Sequence, residues 1–121
     1  MGDERDRRWP RRVYRVGEEP DPRFTLANER TFLAWLRTSL ALMAGGVAAE
    51  TVTPESRLQD VLALGLLVAG IATAATAFGR WARTERAMRT GRPLPSPRLA
   101  ALLGYGLGLA GVLVVLLILW R

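Results

Sequence analysis

Two long uncharged runs constrain this chain of 121 residues more than any other feature. Residues 61–79 contain nineteen positions without a charge, and residues 99–120 contain twenty-two. A helix that crosses the hydrocarbon core of a bilayer needs roughly 20 apolar residues. Both runs therefore predict transmembrane helices, and this clustering of apolar residues is not typical of a soluble amphipathic fold.

A third apolar segment, 31–49, is interrupted by Arg37. The uncharged run after this arginine covers roughly 18 Å of helix, which is too short alone for a core of about 30 Å. An arginine at the bilayer centre costs about 3 kcal/mol, and the apolar residues around it offset that cost. We therefore expect an all-α integral membrane protein with three transmembrane helices, over about 26–49, 59–89 and 98–120.

The distribution of arginine predicts the topology. Seven arginines lie in residues 1–23 and six in residues 80–98, whereas residues 50–60 contain three acids and one arginine. The positive-inside rule then places the N-terminus in the cytoplasm and the C-terminus outside. Residues 1–20 are predicted to form a flexible charged cytoplasmic tail, and residues 21–121 the membrane domain. Acids almost cancel the arginines of the tail, which favours a solvated tail over one bound to anionic lipid.

Several function classes have no support in the sequence. The chain contains neither cysteine nor histidine, so disulfides, thiol nucleophiles and soft metal sites are excluded. Phosphate-binding glycine loops, serine elbows and paired metal carboxylates do not occur at a usable spacing. The first thirty residues are polar, unlike a signal peptide. We expect no enzyme activity, no cofactor, no metal and no nucleic-acid partner.

The first apolar segment carries two arginines on one helical face. At 100° per residue this face, here named the arginine stripe, consists of Arg30, Ala34, Arg37, Ala41, Ala44, Gly45 and Ala48. Small residues suit a close helix contact, and a charge inside a membrane helix indicates a functional site by default. The stripe is therefore expected to meet protein or a water-filled cavity. The alternative is that Arg37, about 9 Å inside Thr31, extends its side chain to the headgroups.

Polar residues around this face have two interpretations each. Asn28 and Glu29 are predicted to cap or begin the first helix, or Glu29 to hold an arginine across an interface. Thr31, Thr38 and Ser39 are expected to bond back to helical carbonyls rather than to a substrate.

The last apolar run contains a row of small residues. Gly104, Gly108 and Gly111 follow Ala100 at intervals of four, four and three, which favours close helix packing. Gly65, Ala69, Ala72 and Thr76 form a weaker row on the second helix. Packing within one chain and self-association both explain such rows, and we expect a homo-oligomer.

One block resembles a known family. The segment Asp21-Pro22-Arg23-Phe24, followed by LANERTFLAWLRTSLA at residues 26–41, is similar to the signature of the YidH-like bacterial membrane proteins, the domain of unknown function family 202. The resemblance covers residues 21–121. It implies a multi-pass protein of the bacterial cell (inner) membrane.

That domain is also similar to the membrane part of the eukaryotic vacuolar transporter chaperone complex, which makes polyphosphate and carries it through an oligomeric, arginine- and lysine-lined channel. The resemblance implies that Arg30 and Arg37, with Arg80, Arg83 or Arg98 near the same mouth, guide phosphate or polyphosphate. The 121 residues contain no polymerase domain, so the implication does not extend to synthesis.

Two hypotheses follow for function. The first is an oligomeric conduit or translocation subunit for phosphate-rich anions. The alternative is a non-catalytic membrane scaffold or accessory subunit, in which the arginines bind anionic membrane lipid and the glycines bind partner helices.

Overall fold

The computed structural model describes residues 6–120; residues 1–5, including Arg5, and Arg121 lie outside the described part. The described residues form only helices and connections, which confirms the all-α class. The four helices are α1 (Arg11–Tyr14), α2 (Pro22–Val52), α3 (Arg57–Thr90) and α4 (Arg98–Leu119). Helices α2, α3 and α4 are long and apolar enough to cross a membrane. The orientation of the termini and the flexibility of residues 1–20 stay predictions.

Helix α2 begins earlier than its apolar segment because Asp21 caps it. The Asp21 carboxylate accepts a hydrogen bond from the Arg23 backbone N–H at 2.9 Å, which satisfies one of the free donors of the first turn. The prediction that Asn28 or Glu29 caps this helix is therefore wrong. Both residues lie in the second turn or beyond, and Asn28 instead points to α3.

The turn between α2 and α3 is closed by two polar side chains. Ser56 accepts the backbone N–H of Gln59 at 3.1 Å, which caps the start of α3. The buried Gln59 amide donates to the carbonyl oxygens of Ala49, Glu50 and Thr53 at 3.0 to 3.3 Å. These bonds satisfy carbonyls that the end of α2 leaves free.

Two compact units divide the chain. Unit 1 comprises Met1–Leu36 and Ala75–Ser96, and unit 2 comprises Arg37–Ala74 and Pro97–Arg121. The core of unit 1 is an aromatic cluster in which α1 and residue Phe32 of α2 pack against α3. Its buried members are Val13, Trp81 and Ala82, with Tyr14, Phe32 and Phe78 around them.

Unit 2 contains a close approach of α2 and α3. The buried Ser39 hydroxyl donates to the Gly70 carbonyl oxygen at 2.7 Å. A Cβ atom on Gly70 would lie 2.8 Å from the Ser39 carbonyl oxygen, and one on Gly46 would lie 2.8 Å from the Ala63 carbonyl oxygen. Two glycines thus let the helix backbones meet, as small residues do at membrane helix contacts.

The buried face of α2, here named the seam, differs from the arginine stripe. Ser39, Leu42, Gly46 and Ala49 are buried and recur at intervals of three, four and three. This spacing of about 3.5 residues is typical of left-handed helix packing. The arginine stripe does not coincide with this seam, because its members are exposed apart from the half-buried Gly45.

Candidate anion-binding site

The two arginines of the stripe are both exposed on α2. Arg30 belongs to unit 1 and Arg37 to unit 2. Seven residues of α2 separate them in the sequence. Within residues 6–120, neither guanidinium takes part in an ion pair. Each unit therefore carries one of these positive charges, and the described part of the chain does not neutralise it.

Arg80 lies against an aromatic ring in unit 1. Its guanidinium carbon is 4.4 Å from the centroid of the Trp35 ring, a cation–π distance. The residue is half-buried, and its Nε is a buried donor without a hydrogen-bond partner among the described residues. A guanidinium over an indole ring can still donate from its outer N–H groups, which lie in one plane. Such a group is suited to bind a phosphate oxygen.

The other predicted cations are exposed and fall in different units. Arg83 is on α3 in unit 1, and Arg98 is the first residue of α4 in unit 2. Unit 1 therefore contains Arg30, Arg80 and Arg83, and unit 2 contains Arg37 and Arg98. The part that these five residues take in binding anions stays a prediction.

The supporting polar residues have separate positions. Thr31 donates to the Ala27 carbonyl oxygen at 3.1 Å, the helical back-bond expected of it. Thr38 is half-buried on α2. Glu29 is exposed beside a cavity of about 290 Å³ in unit 1, next to Phe32 and Trp81. The Asn28 amide joins α2 to α3 by hydrogen bonds to Trp81 and Glu85.

Sequence reasoning missed Glu85, which is almost completely buried at 1 % exposure. Its carboxylate accepts the Thr25 hydroxyl at 3.0 Å and the Asn28 amide at 3.2 Å, and that amide also donates to the Trp81 carbonyl oxygen at 3.1 Å. Buried carboxylates need such donors to offset the loss of water. Glu85 thereby fixes the start of α2 to the end of α3. The sequence contained one indication of its role, because Glu85 is the only acid after Asp60.

Arg89 is the second residue that the sequence did not indicate. Its side chain is 4 % exposed and donates to the Tyr14 and Val16 carbonyl oxygens at 2.9 Å each, and to the Glu19 carboxylate at 3.1 Å. The Glu18 backbone N–H donates to the Arg89 carbonyl oxygen at 2.9 Å. The planar guanidinium thus holds three acceptors of the N-terminal segment at once. We name this contact the clasp: residues 14–19 on Arg89.

An ion-pair network extends the clasp. Arg8 contacts Asp6 at 2.7 Å and Glu19 at 2.8 Å. The hydrogen bonds from the Arg8 side chain lower the pKa of the Glu19 carboxyl and of the Asp6 carboxyl to about 2 each. Both groups stay ionised in neutral and mildly acidic solution, and their contribution to folding is lost only as the pH falls towards these lowered values.

The glycine row of α4 faces away from the chain. No atom of the described residues, apart from the backbone of α4 itself, lies within 4 Å of a Cβ built on Gly104, Gly108 or Gly111. Of the two explanations left open by the sequence, packing within one chain is therefore wrong for this row. Its use in self-association stays a prediction.

The sequence of this chain is similar to that of a known protein family. The model of the domain of unknown function DUF202 matches residues 23–87, which include all of α2 after its first residue and most of α3. The chain belongs to the DUF202 family. No solved structure matches the chain.

Two curated relatives support the membership. The inner membrane protein YidH of Escherichia coli is 38% identical over 112 residues, which cover 90% of this chain and 97% of that protein. An uncharacterised protein of Mycobacterium tuberculosis is 44% identical over 103 residues, covering 83% of this chain and 84% of the relative. The predicted location in the bacterial inner membrane is confirmed by the first relative and by the three apolar helices. The chain is thus a small DUF202 membrane protein.

Proposed function

We propose that this DUF202 protein is an oligomeric conduit or translocation subunit for phosphate-rich anions, with the arginine stripe along its path. The observation that supports the proposal is the position of Arg37. It is exposed on α2, in the same helix as the buried Ser39 and Leu42 but on a different face, so that residues 6–120 leave it uncovered.

The cost of burying this charge favours a shared site over a lone chain in lipid. A guanidinium that faces hydrocarbon near the bilayer centre costs about 3 kcal/mol, and it is stabilised where it meets water, protein or an anion. Ala34, Ala41, Ala44 and Ala48 leave little side-chain bulk around the two arginines. Copies of the chain can therefore approach along the stripe.

Repetition of the stripe around one axis of an oligomer then produces a lining that binds and attracts anions. Each copy adds two guanidinium groups that bind phosphate oxygens in pairs and remain charged at any physiological pH. A lining of one sign raises the local concentration of anions and excludes cations. The stripe carries no acid, so nothing on this face of α2 opposes that field.

A second candidate function is supported by Arg80. Its guanidinium lies over the Trp35 ring at the end of the uncharged run of α3, where a lipid phosphate is available at the headgroup level. In this alternative the protein is a non-catalytic scaffold or accessory subunit that binds anionic lipid. The arginines then serve as anchors without transport.

Flux through liposomes separates the two functions. The purified protein is expected to pass phosphate or short polyphosphate under an imposed gradient, and the double variant Arg30→Gln/Arg37→Gln to lose roughly tenfold or more of that flux, because the positive field is removed. Arg57→Gln is the matched control, since it removes one exposed charge at the opposite end of the helices. Its flux should equal that of the unaltered protein.

Two results would contradict the conduit. One is a flux no higher than in protein-free liposomes although the protein is folded and inserted. The other is equal flux in the double variant and the unaltered protein. If binding of anionic lipid falls in Arg80→Gln while no flux is found, the accessory function replaces the conduit.

A further inference from the structure

Unit 2 contains an apolar groove between α3 and α4. It has a volume of about 350 Å³, and its floor includes the buried Leu42, Leu62 and Thr73. Its rim includes Val61 and Leu102, which are 58% and 69% exposed. The groove is therefore open along the side of the helices, at the level of the apolar spans.

The dimensions of the groove suit one hydrocarbon chain. Along α3 it extends from Val61 to Thr73, and along α4 from Leu99 to Leu113. Twelve to fourteen helical residues cover roughly 18–21 Å. One leaflet contributes half of a hydrocarbon core of about 30 Å. The groove is thus slightly longer than one leaflet is thick.

Net positive charge lies at one end of the groove only, because Arg57 at the other end is outnumbered by three acids. Arg98 directly precedes the lining residue Leu99 and is exposed. Helix α4 starts there after Pro97 without a side-chain cap, so its first N–H groups add a positive helix end. The acids of unit 2 are Glu50, Glu55 and Asp60, all beside the α2–α3 turn at the far end of these helices. Among the described residues of unit 2, none forms an ion pair with Arg98.

We propose that this groove binds one acyl chain of an anionic phospholipid, whose phosphate meets Arg98 and the first N–H groups of α4. An apolar groove with one cationic end complements a molecule with an apolar chain and one anionic end. The inference does not rest on the conduit, because Arg98 and the groove lie outside the arginine stripe.

The helices of unit 2 from a second copy complement this groove less well. Copies inserted in the same orientation place their α2–α3 turns, and thus the three acids of unit 2, at the end opposite Arg98. Helix α4 contains no acid at all. A lipid phosphate, in contrast, lies at the headgroup level and carries the required charge.

Native mass spectrometry of the full chain in mild detergent tests the proposal. After addition of phosphatidylglycerol or phosphatidylcholine with identical acyl chains, one phospholipid should remain bound per chain, with phosphatidylglycerol preferred roughly two- to fivefold. Gly106→Leu should abolish retention of both lipids, because Gly106 lines the groove and its Cβ position is open. Ala101→Leu, an exposed position of α4 outside the lining, should leave retention unchanged.

Arg98→Gln tests the charge separately. This exposed position tolerates the change without loss of packing, and the variant should still retain phosphatidylcholine while the preference for phosphatidylglycerol disappears. Unchanged retention in Gly106→Leu would overturn the proposal, as would an unchanged preference in Arg98→Gln. If a second copy filled the groove, Gly106→Leu would dissociate an oligomer and leave the amount of bound lipid unchanged. This result would also overturn the proposal.

Discussion

Gly70→Leu is expected to prevent α2 and α3 from packing and to leave little folded protein in detergent. Even the Cβ of alanine at this position would lie 2.8 Å from the Ser39 carbonyl oxygen, a backbone atom that no rotamer change can move. Overpacking of this kind costs about 1–3 kcal/mol for a small addition and more for a large one. Gly70→Ala should therefore lower the melting temperature by roughly 5 °C or more.

Gly65 provides the matched control for this prediction. It lies on the same helix and in the same unit, and a Cβ there meets nothing within 4 Å. Gly65→Ala should melt within about a degree or two of the unaltered protein, because most surface substitutions change stability little. Equal melting temperatures for Gly70→Ala and Gly65→Ala would show that α2 and α3 do not meet at Gly70.

Gly17→Val is expected to release the N-terminal segment from Arg89. Gly17 has a backbone φ of 62°, a left-handed conformation that a β-branched residue rarely adopts, and its Cβ would collide with the Arg89 carbonyl oxygen. The left-handed conformation alone costs roughly 1–2 kcal/mol. Trypsin cuts after Arg11, Arg12 and Arg15 only in molecules whose N-terminal segment is released. The rate of cleavage at these sites should therefore rise roughly 5- to 30-fold.

Glu18→Ala is the control for the clasp. The Glu18 side chain is exposed, and its contribution to the clasp is the backbone N–H, which alanine retains. Its cleavage rate should match that of the unaltered protein. The clasp would be contradicted if Gly17→Val and the unaltered protein were cut equally fast.

The three spans and the helical class were predictable because they depend on length and apolar composition alone. Helix α3 was expected over about residues 59–89, and it spans Arg57–Thr90, followed by Gly91 at a φ of 68°. The face that each helix presents to its neighbour was not predictable in the same way. In lipid-facing helices the apolar residues occur all round, so hydrophobic periodicity does not distinguish a protein contact from a lipid contact.

The glycines illustrate this limit. Gly65, Ala69 and Ala72 were grouped as a packing row on α3, yet they line the open groove, and the close contact with α2 is made at Gly70. In the candidate site, the arginines were found because charge is rare in apolar runs. Glu85 and Arg89 were missed because they lie in a charged segment, where a buried residue and a solvated one look alike in sequence.

Thiol labelling in membranes tests most directly whether the arginine stripe borders water, as the conduit requires, rather than lipid. The chain has no cysteine, so a single introduced thiol reports without background. Ala41 belongs to the stripe, whereas the neighbouring Leu40, 64% exposed, lies on another face of α2. A membrane-impermeant anionic methanethiosulfonate reagent reacts with the thiolate, which forms only in contact with water.

The conduit predicts that Ala41→Cys is modified readily, that added phosphate slows the reaction, and that Leu40→Cys stays unmodified. Labelling at neither position, or at an equal rate at both, would contradict it and would leave Arg37 as an anchor at the headgroups.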